Sequence, residues 1–168
     1  MNSNLMNSTM RHGLILGIVF SVNFILSISG NMFFGLLSYV AVGLIIYLTY
    51  KYTISYRDTD CAGTISYRHA LAFVILLFVF AALISAIVKY VYFQYINTDF
   101  LPELMNKSIE LMEQIMPSVP EETYDNMEKM MSPINYSLTV TWMNVILGFL
   151  VGLVIAGLVK KEKDLFEK

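Results

Sequence analysis

The hydrophobic pattern divides the chain into long uncharged runs separated by polar segments. Residues 12–50 contain no Asp, Glu, Lys or Arg, and as a helix they would extend for roughly 58 Å at about 1.5 Å per residue. The hydrocarbon core of a bilayer is about 30 Å thick and takes about 20 residues to cross. The run therefore predicts two membrane helices, over about 12–29 and 32–50, with a tight turn near Gly30-Asn31.

Two further runs complete the pattern. An apolar, aromatic run interrupted only by Lys89 predicts a third helix over about 69–96, and the uncharged run after Pro133 predicts a fourth over about 134–159. Backbone in lipid must satisfy its own hydrogen bonds, so each crossing must be helical. The predicted fold class is all-α: an integral membrane four-helix bundle forming a single membrane domain.

The segment 97–133 between the third and fourth helices has a polar pattern of its own. Ser118-Val119-Pro120-Glu121 has the form of a capping box with Pro in the first turn, and it predicts a helix that stops near Met131. Upstream, four apolar residues recur at helical spacing and predict an amphipathic helix: Met105, Ile109, Met112 and Met116. We expect an acidic helical hairpin outside the bilayer.

Composition and charge agree with a membrane protein. The 168 residues are 57% hydrophobic and only 14% charged, whereas soluble domains have about 25% charged residues. The net charge of −2 gives no reason to expect nucleic acid as a partner. Cys61 is the only cysteine, so a disulfide within the chain is excluded.

Lysine and arginine are unevenly distributed among the polar segments, and they favour the cytoplasmic side of a membrane. They occur at Arg11, in the segment 51–68 and in the tail, whereas the segment 97–135 has two lysines against eight acids. This predicts cytoplasmic N- and C-termini and an extracytoplasmic location for the segment 97–133, which we call the insert. The competing interpretation is a signal peptide cleaved near Ser27-Ile28-Ser29, but the apolar run is too long for a typical signal sequence.

The segment between the second and third helices gathers residue types that could carry chemistry, including Cys61 and His69. Cys–His catalysis requires hydrogen-bond reach and a third orienting group, and zinc requires about four ligands. The spacing of Cys61 and His69 along the chain ensures neither the catalytic arrangement nor a zinc site. The simpler interpretation is a polar turn whose cations meet lipid headgroups, with Ser66 capping the third helix. We therefore predict no catalytic residue, no metal, no cofactor and no enzyme activity.

Three polar side chains lie within predicted spans. Asn23 and Asn144 are interpreted as bonding a neighbouring helix rather than a substrate. A charge inside a membrane is a functional hypothesis by default. Lys89 lies near its helix end beside three tyrosines, so we expect it to snorkel outward, unless Asp99 or another acid of the insert covers it.

Small residues recur four apart in two of the spans. Gly13-x-x-x-Gly17 and Gly148-x-x-x-Gly152 form stripes that let helices approach closely. They favour helix packing and only weakly suggest dimerisation.

The insert is rich in methionine, a soft ligand that suits Cu(I). Methionine is also a flexible core filler, which is the simpler interpretation. The acids Glu121, Asp125 and Glu128 share one helical face and could hold a divalent cation, although a solvated face is the simpler interpretation. The six methionines of the insert are Met105, Met112, Met116, Met127, Met130 and Met131.

Several short motifs resemble a known family. Tyr56-Arg57-Asp58 and Gly63-Thr64-Ile65-Ser66-Tyr67 lead into Ala70-Leu71-Ala72-Phe73, and the third helix is followed by Phe100-Leu101-Pro102. In this arrangement, over nearly the whole chain, the sequence resembles domain-of-unknown-function family 4199, small membrane proteins found mainly in Bacteroidota. The resemblance implies a bacterial inner-membrane location and makes Arg57, Asp58, Gly63 and Ser66 characteristic positions. It carries no known activity, ligand or catalytic residue.

These observations predict a non-enzymatic membrane protein that acts by protein or lipid interaction, in an accessory or structural role. Its expected partners are the lipid bilayer and either a second copy of the chain or a partner membrane protein. The alternative is a small oligomeric transporter or channel with Asn23, Lys89 and Asn144 facing one lumen.

Overall fold

A computed structural model describes residues 3–116 and 120–161 of the chain. The described residues are helical, apart from short connections and one isolated β-bridge, so the predicted all-α fold is confirmed. A π-helical turn, Tyr92–Ile96, continues the third helix. The six α-helices are α1 (Ser3–Ile28), α2 (Met32–Asp60), α3 (Tyr67–Val91), α4 (Phe100–Ile115), α5 (Glu121–Met130) and α6 (Pro133–Val159).

Four of these helical segments are long and apolar enough to cross a membrane. They are Asn4–Ile28, Met32–Asp60, Tyr67–Ile96 and Pro133–Val159. The protein is a multi-pass membrane protein, and the prediction of four spans is confirmed.

The helices differ from the sequence prediction chiefly at their polar ends. α1 begins at Ser3 rather than near residue 12, and α2 continues to Asp60 rather than ending near residue 50. A fall in hydropathy marks where a helix leaves lipid, but a helix ends only where its backbone hydrogen bonds are interrupted. For α2 that point is Ala62 and Gly63, whose φ angles are 51° and 80°, in the left-handed region.

The chain divides into two compact units, residues 1–85 with 141–168, and residues 86–140. In the first unit α1 and α6 both pack closely on α3. A Cβ built on Gly13 would lie 2.7 Å from Phe80 Cβ, and one on Gly148 would lie 2.3 Å from Phe78 Cγ. Such distances are far below van der Waals contact, so these positions require glycine.

The other glycine of each stripe makes a similar approach to α3. A Cβ on Gly17 would lie 2.8 Å from Ile84 Cβ, and one on Gly152 would lie 3.0 Å from Leu71 Cδ1. The core of this unit includes the apolar residues Leu16, Leu77 and Ala156, which are excluded from solvent.

The second unit is organised around Phe93 of the π-helical turn, which is 1% exposed. Its ring centroid lies 5.5 Å from that of Phe100 and 5.3 Å from that of Tyr136. Tyr124 of α5 donates a hydrogen bond of 2.8 Å to Glu113 of α4. α5 ends at Met130, close to the predicted stop, while Ser118 of the predicted capping box lies outside the described residues.

Candidate functional site

The connection between α2 and α3 is a compact turn held by backbone hydrogen bonds. The Gly63 amide donates to the Arg57 carbonyl at 3.0 Å. Ile65 then pairs with Lys161 through two backbone hydrogen bonds of 2.8 and 2.9 Å. The Gly63-Thr64-Ile65-Ser66 part of the family resemblance therefore lies in a turn that is tied to the chain just beyond α6.

Arg57 links this turn to the end of α6. Its Nε lies 2.7 Å from Asp58 Oδ1, and its Nη1 donates to the Val159 carbonyl at 3.3 Å. The last carbonyls of a helix have no partner within the helix, and a cation near them is favourable. Arg57 thus caps the C-terminus of α6, with Asp58 holding the guanidinium in place.

Tyr56 and His69 form the buried side of the same region. Tyr56 is 2% exposed, and its ring stacks on Phe73 with centroids 4.4 Å apart. Its Oη lies 3.0 Å from His69 Nε2, within hydrogen-bonding distance. The Ser66 Oγ accepts a long hydrogen bond of 3.4 Å from the His69 amide, in the position of a helix N-cap.

The Cys61 thiol is half-buried at the C-terminal end of α2. Burial raises its pKa, and the charge of Asp60 raises it further, while a hydrogen bond with Tyr56 acts in the opposite direction. A raised pKa leaves little of the reactive thiolate at neutral pH. The nearby imidazole of His69 lies within hydrogen-bonding distance of the Tyr56 hydroxyl.

A polar cleft, the α1–α2 cleft, lies between the first turns of α1 and the last turns of α2. Its volume is about 510 Å³, within the range of small-ligand sites. Arg11 and Asp60 both line it, yet within the described residues they form no ion pair. The complete lining is Asn4, Asn7, Ser8, Arg11, His12, Ser55, Thr59 and Asp60.

His12 is fixed in this cleft by two contacts. Its Nδ1 lies 2.9 Å from the Ser8 carbonyl; a carbonyl only accepts, so Nδ1 donates and carries the proton. Its ring lies against Tyr52, with centroids 4.5 Å apart. The imidazole is therefore held in one orientation and one tautomer.

The sequence prediction missed this cleft because its two walls are far apart along the chain. The available signal was periodic: Asn4, Asn7, Ser8 and Arg11 follow helical spacing and form one polar face. Extending α1 back to residue 4 would have been needed to see that face.

Of the three polar residues singled out within the predicted spans, Lys89 is the most deeply buried, at 4% exposure. The expectation that it snorkels outward is therefore wrong, because a snorkelling ammonium remains exposed. Ser85 of α3 and Phe93 of the π-helical turn lie four residues before and after Lys89, and both are buried. Like them, Lys89 is directed inward.

The two asparagines are less buried than Lys89. Asn144 of α6 is half-buried, and so is Asn23 of α1. The Oδ1 of Asn23 is shielded from solvent and has no hydrogen-bond partner among the described residues.

The last turn of α4 exposes apolar side chains although it follows the third membrane span. Ile115 is 82% exposed and Leu111 is 61% exposed. We call this surface the α4 tip; it consists of Leu111, Met112, Ile115 and Met116. A contiguous apolar patch on a polar segment is typical of an interaction surface.

The methionines of the insert are not gathered in one place. Met105 and Met131 line a cleft of about 420 Å³ together with Glu128, whereas Met116 and Met130 are exposed. Within residues 3–116 and 120–161, no three His, Cys, Asp or Glu side chains are grouped to hold a metal ion.

Comparison with known protein families identifies the chain. The family described as "Protein of unknown function (DUF4199)" matches residues 11–161. The chain belongs to this family. The predicted resemblance is confirmed, and the DUF4199 match includes the α2–α3 turn and its partner Lys161. Comparisons with curated proteins and with solved structures gave no match.

Proposed function

We propose that this DUF4199 protein is a non-enzymatic membrane protein of the bacterial cytoplasmic membrane that binds another protein through its insert. The observation that carries the proposal is the α4 tip, where Leu111 and Ile115 are exposed on a segment outside the membrane spans. An accessory subunit needs such a surface to recognise its partner.

Charge indicates what kind of partner fits. Residues 97–135 contain eight acids and two lysines, and Glu110 and Glu113 flank the apolar residues of the α4 tip. An anionic lipid surface, or the same insert of a second copy, would be repelled by this charge. A protein with an apolar pocket surrounded by lysine and arginine is complementary to it.

Site-specific photo-crosslinking tests this proposal. A photoreactive residue at Ile115 should give one protein adduct of constant mass in living cells. The same residue at Asn106, exposed on α4 but outside the tip, is the matched control and should give none. Leu111→Asp should abolish the Ile115 adduct, because a charge would enter the apolar contact. Adducts only with lipid or with a second copy would overturn the proposal.

We further propose that both termini and the α2–α3 turn lie in the cytoplasm. The distribution of lysine and arginine supports this orientation. In a Cys61→Ser background, an impermeant maleimide should label Asn126→Cys on intact spheroplasts and Ala62→Cys only after lysis. The reverse labelling pattern would invert the orientation.

A second candidate function is favoured by the burial of Lys89. An ammonium inside a membrane bundle is typical of ion or substrate pathways, and an oligomer of this chain could form a transporter or channel. Reconstituted protein should then show ion or solute flux that Lys89→Met abolishes. Flux that Lys89→Met leaves unchanged would remove the lysine from any such pathway.

A further inference from the structure

We propose that the α1–α2 cleft binds a zwitterionic phosphoethanolamine group, with Arg11 facing the phosphate and Asp60 facing the ammonium. The proposal does not depend on the function assigned to the insert. It rests on the composition of the cleft, on two charged groups that form no ion pair among the described residues, and on the position of the cleft along the two spans.

The charges of the cleft suit a ligand that carries both signs. Arg11 and Asp60 line the same 510 Å³ space, but neither forms an ion pair within the described chain. A simple anion would be repelled by Asp60, and a simple cation would be repelled by Arg11. A zwitterion can satisfy both groups with charge-assisted hydrogen bonds.

The neutral side chains favour a primary ammonium. Thr59 Oγ1 lies 2.7 Å from the Ser55 carbonyl and 3.0 Å from Asp60 Oδ2, so its one hydrogen serves two acceptors and the cleft presents several acceptor oxygens side by side. Asn4 and Asn7 also line the cleft, and their side-chain carbonyl oxygens can accept hydrogen bonds. A primary ammonium has three hydrogens to donate to such oxygens, whereas a trimethylammonium has none. The cleft should therefore distinguish ethanolamine from choline.

The position of the cleft favours a lipid as the source of this group. Residues 12–50 carry no charge, so Arg11 and the last two turns of α2 lie just beyond the hydrocarbon. That is the depth at which phospholipid headgroups are found. Tyr52, whose ring contacts His12, is the type of aromatic residue that favours this interface.

Native mass spectrometry of the purified protein tests the proposal. After delipidation, the protein is exposed to equal amounts of phosphatidylethanolamine, phosphatidylcholine and phosphatidylglycerol. We expect preferential retention of phosphatidylethanolamine. Arg11→Gln and Asp60→Asn should each weaken that retention by about tenfold, the size of one lost charge-assisted hydrogen bond.

Matched controls separate the cleft from general charge effects. Arg68→Gln and Asp125→Asn change the net charge equally but lie outside the cleft, and they should retain the lipid. The double reversal Arg11→Asp with Asp60→Arg should restore binding that each single reversal loses. This rescue also shows that the single variants fail through binding rather than through folding.

Titration with soluble O-phosphoethanolamine distinguishes the two sources of the ligand. Displacement of the lipid only at far higher concentration supports a membrane headgroup, and displacement at matched concentration supports a soluble phosphoethanolamine. Equal retention of the three lipids by the unaltered protein would overturn the proposal. Loss of retention in the control variants would overturn it as well.

Discussion

At the scale of single residues, the α2–α3 turn shows why particular residue types are needed there. Ala62 and Gly63 both have positive φ angles, but only glycine adopts that region without a steric cost. At position 57 a long side chain is needed, because Arg57 contacts both Asp58 and the Val159 carbonyl. These roles are structural, and lipid anchoring alone would not require them.

The backbone of this turn leads to a paired prediction. Gly63→Ala should destabilise the protein by about 1–2 kcal/mol, because a Cβ in the left-handed region meets its own carbonyl. Ala62→Gly should stabilise it by about 0.5–1 kcal/mol, since the same cost is removed at the expense of some chain entropy. Denaturant titration in detergent measures both, and equal effects of the same sign would contradict the reasoning.

The raised pKa of Cys61 predicts slow alkylation with an unusual pH dependence. Only the thiolate reacts, so a higher pKa means less reactive thiol at each pH. The maleimide rate should still increase above pH about 8.5, the ordinary thiol pKa. Asp60→Asn should shift the profile to lower pH, because the charge of Asp60 raises the pKa.

Asp58→Asn is the control for this profile. Asp58 is also a nearby carboxylate, but its charge is compensated by Arg57. It should leave the alkylation profile unchanged. A rate that reaches its plateau below pH 8 in the unaltered protein would show that the thiol pKa is not raised.

At the scale of helices, contact between elements depends on where side chains are absent. α6 lies against α3 at Gly148, with no room for a methyl group beside Phe78. Gly157 lies on the same helix with open space around its missing Cβ. Substitution of these two glycines should therefore affect stability differently, although both lie on α6.

This difference predicts opposite outcomes for the same substitution. Gly148→Ala should cost about 1–3 kcal/mol through overpacking. Gly157→Ala should leave stability unchanged or slightly higher, because alanine is the better helix former. Unfolding of each purified variant in detergent measures the difference. Equal stability of the two variants would mean that α6 does not approach α3 this closely.

Hydropathy predicted the number and type of the long helices, because a lipid environment leaves little choice of backbone structure. It did not predict their ends. Residues 51–60 are polar enough to leave lipid, yet they continue α2 as far as the turn at Ala62. The α1–α2 cleft is lined mostly by these extensions, from two parts of the chain that are far apart in sequence, so it was missed together with them. The burial of Lys89 depends on which face of α3 packs inward, and hydropathy contains no such information.

At the scale of the whole molecule, Ile65 and Lys161 join two distant parts of the chain. Ending the chain after Lys160 should therefore accelerate hydrogen exchange at the Ile65 amide, because its acceptor is the Lys161 carbonyl. Ending it after Lys161 keeps that acceptor and serves as the control. Equal exchange in the two truncated proteins would show that the pairing does not protect the turn.

The same pairing has a consequence for biosynthesis. Ile65 leaves the ribosome before α3, whereas Lys161 is made only after α6 has been completed. Throughout that interval the turn lacks Lys161, its backbone hydrogen-bond partner in the mature protein. Because chains fold progressively as they are synthesised, closure of the Ile65–Lys161 pair is a late step, and it can occur only when the fourth span has already been translated.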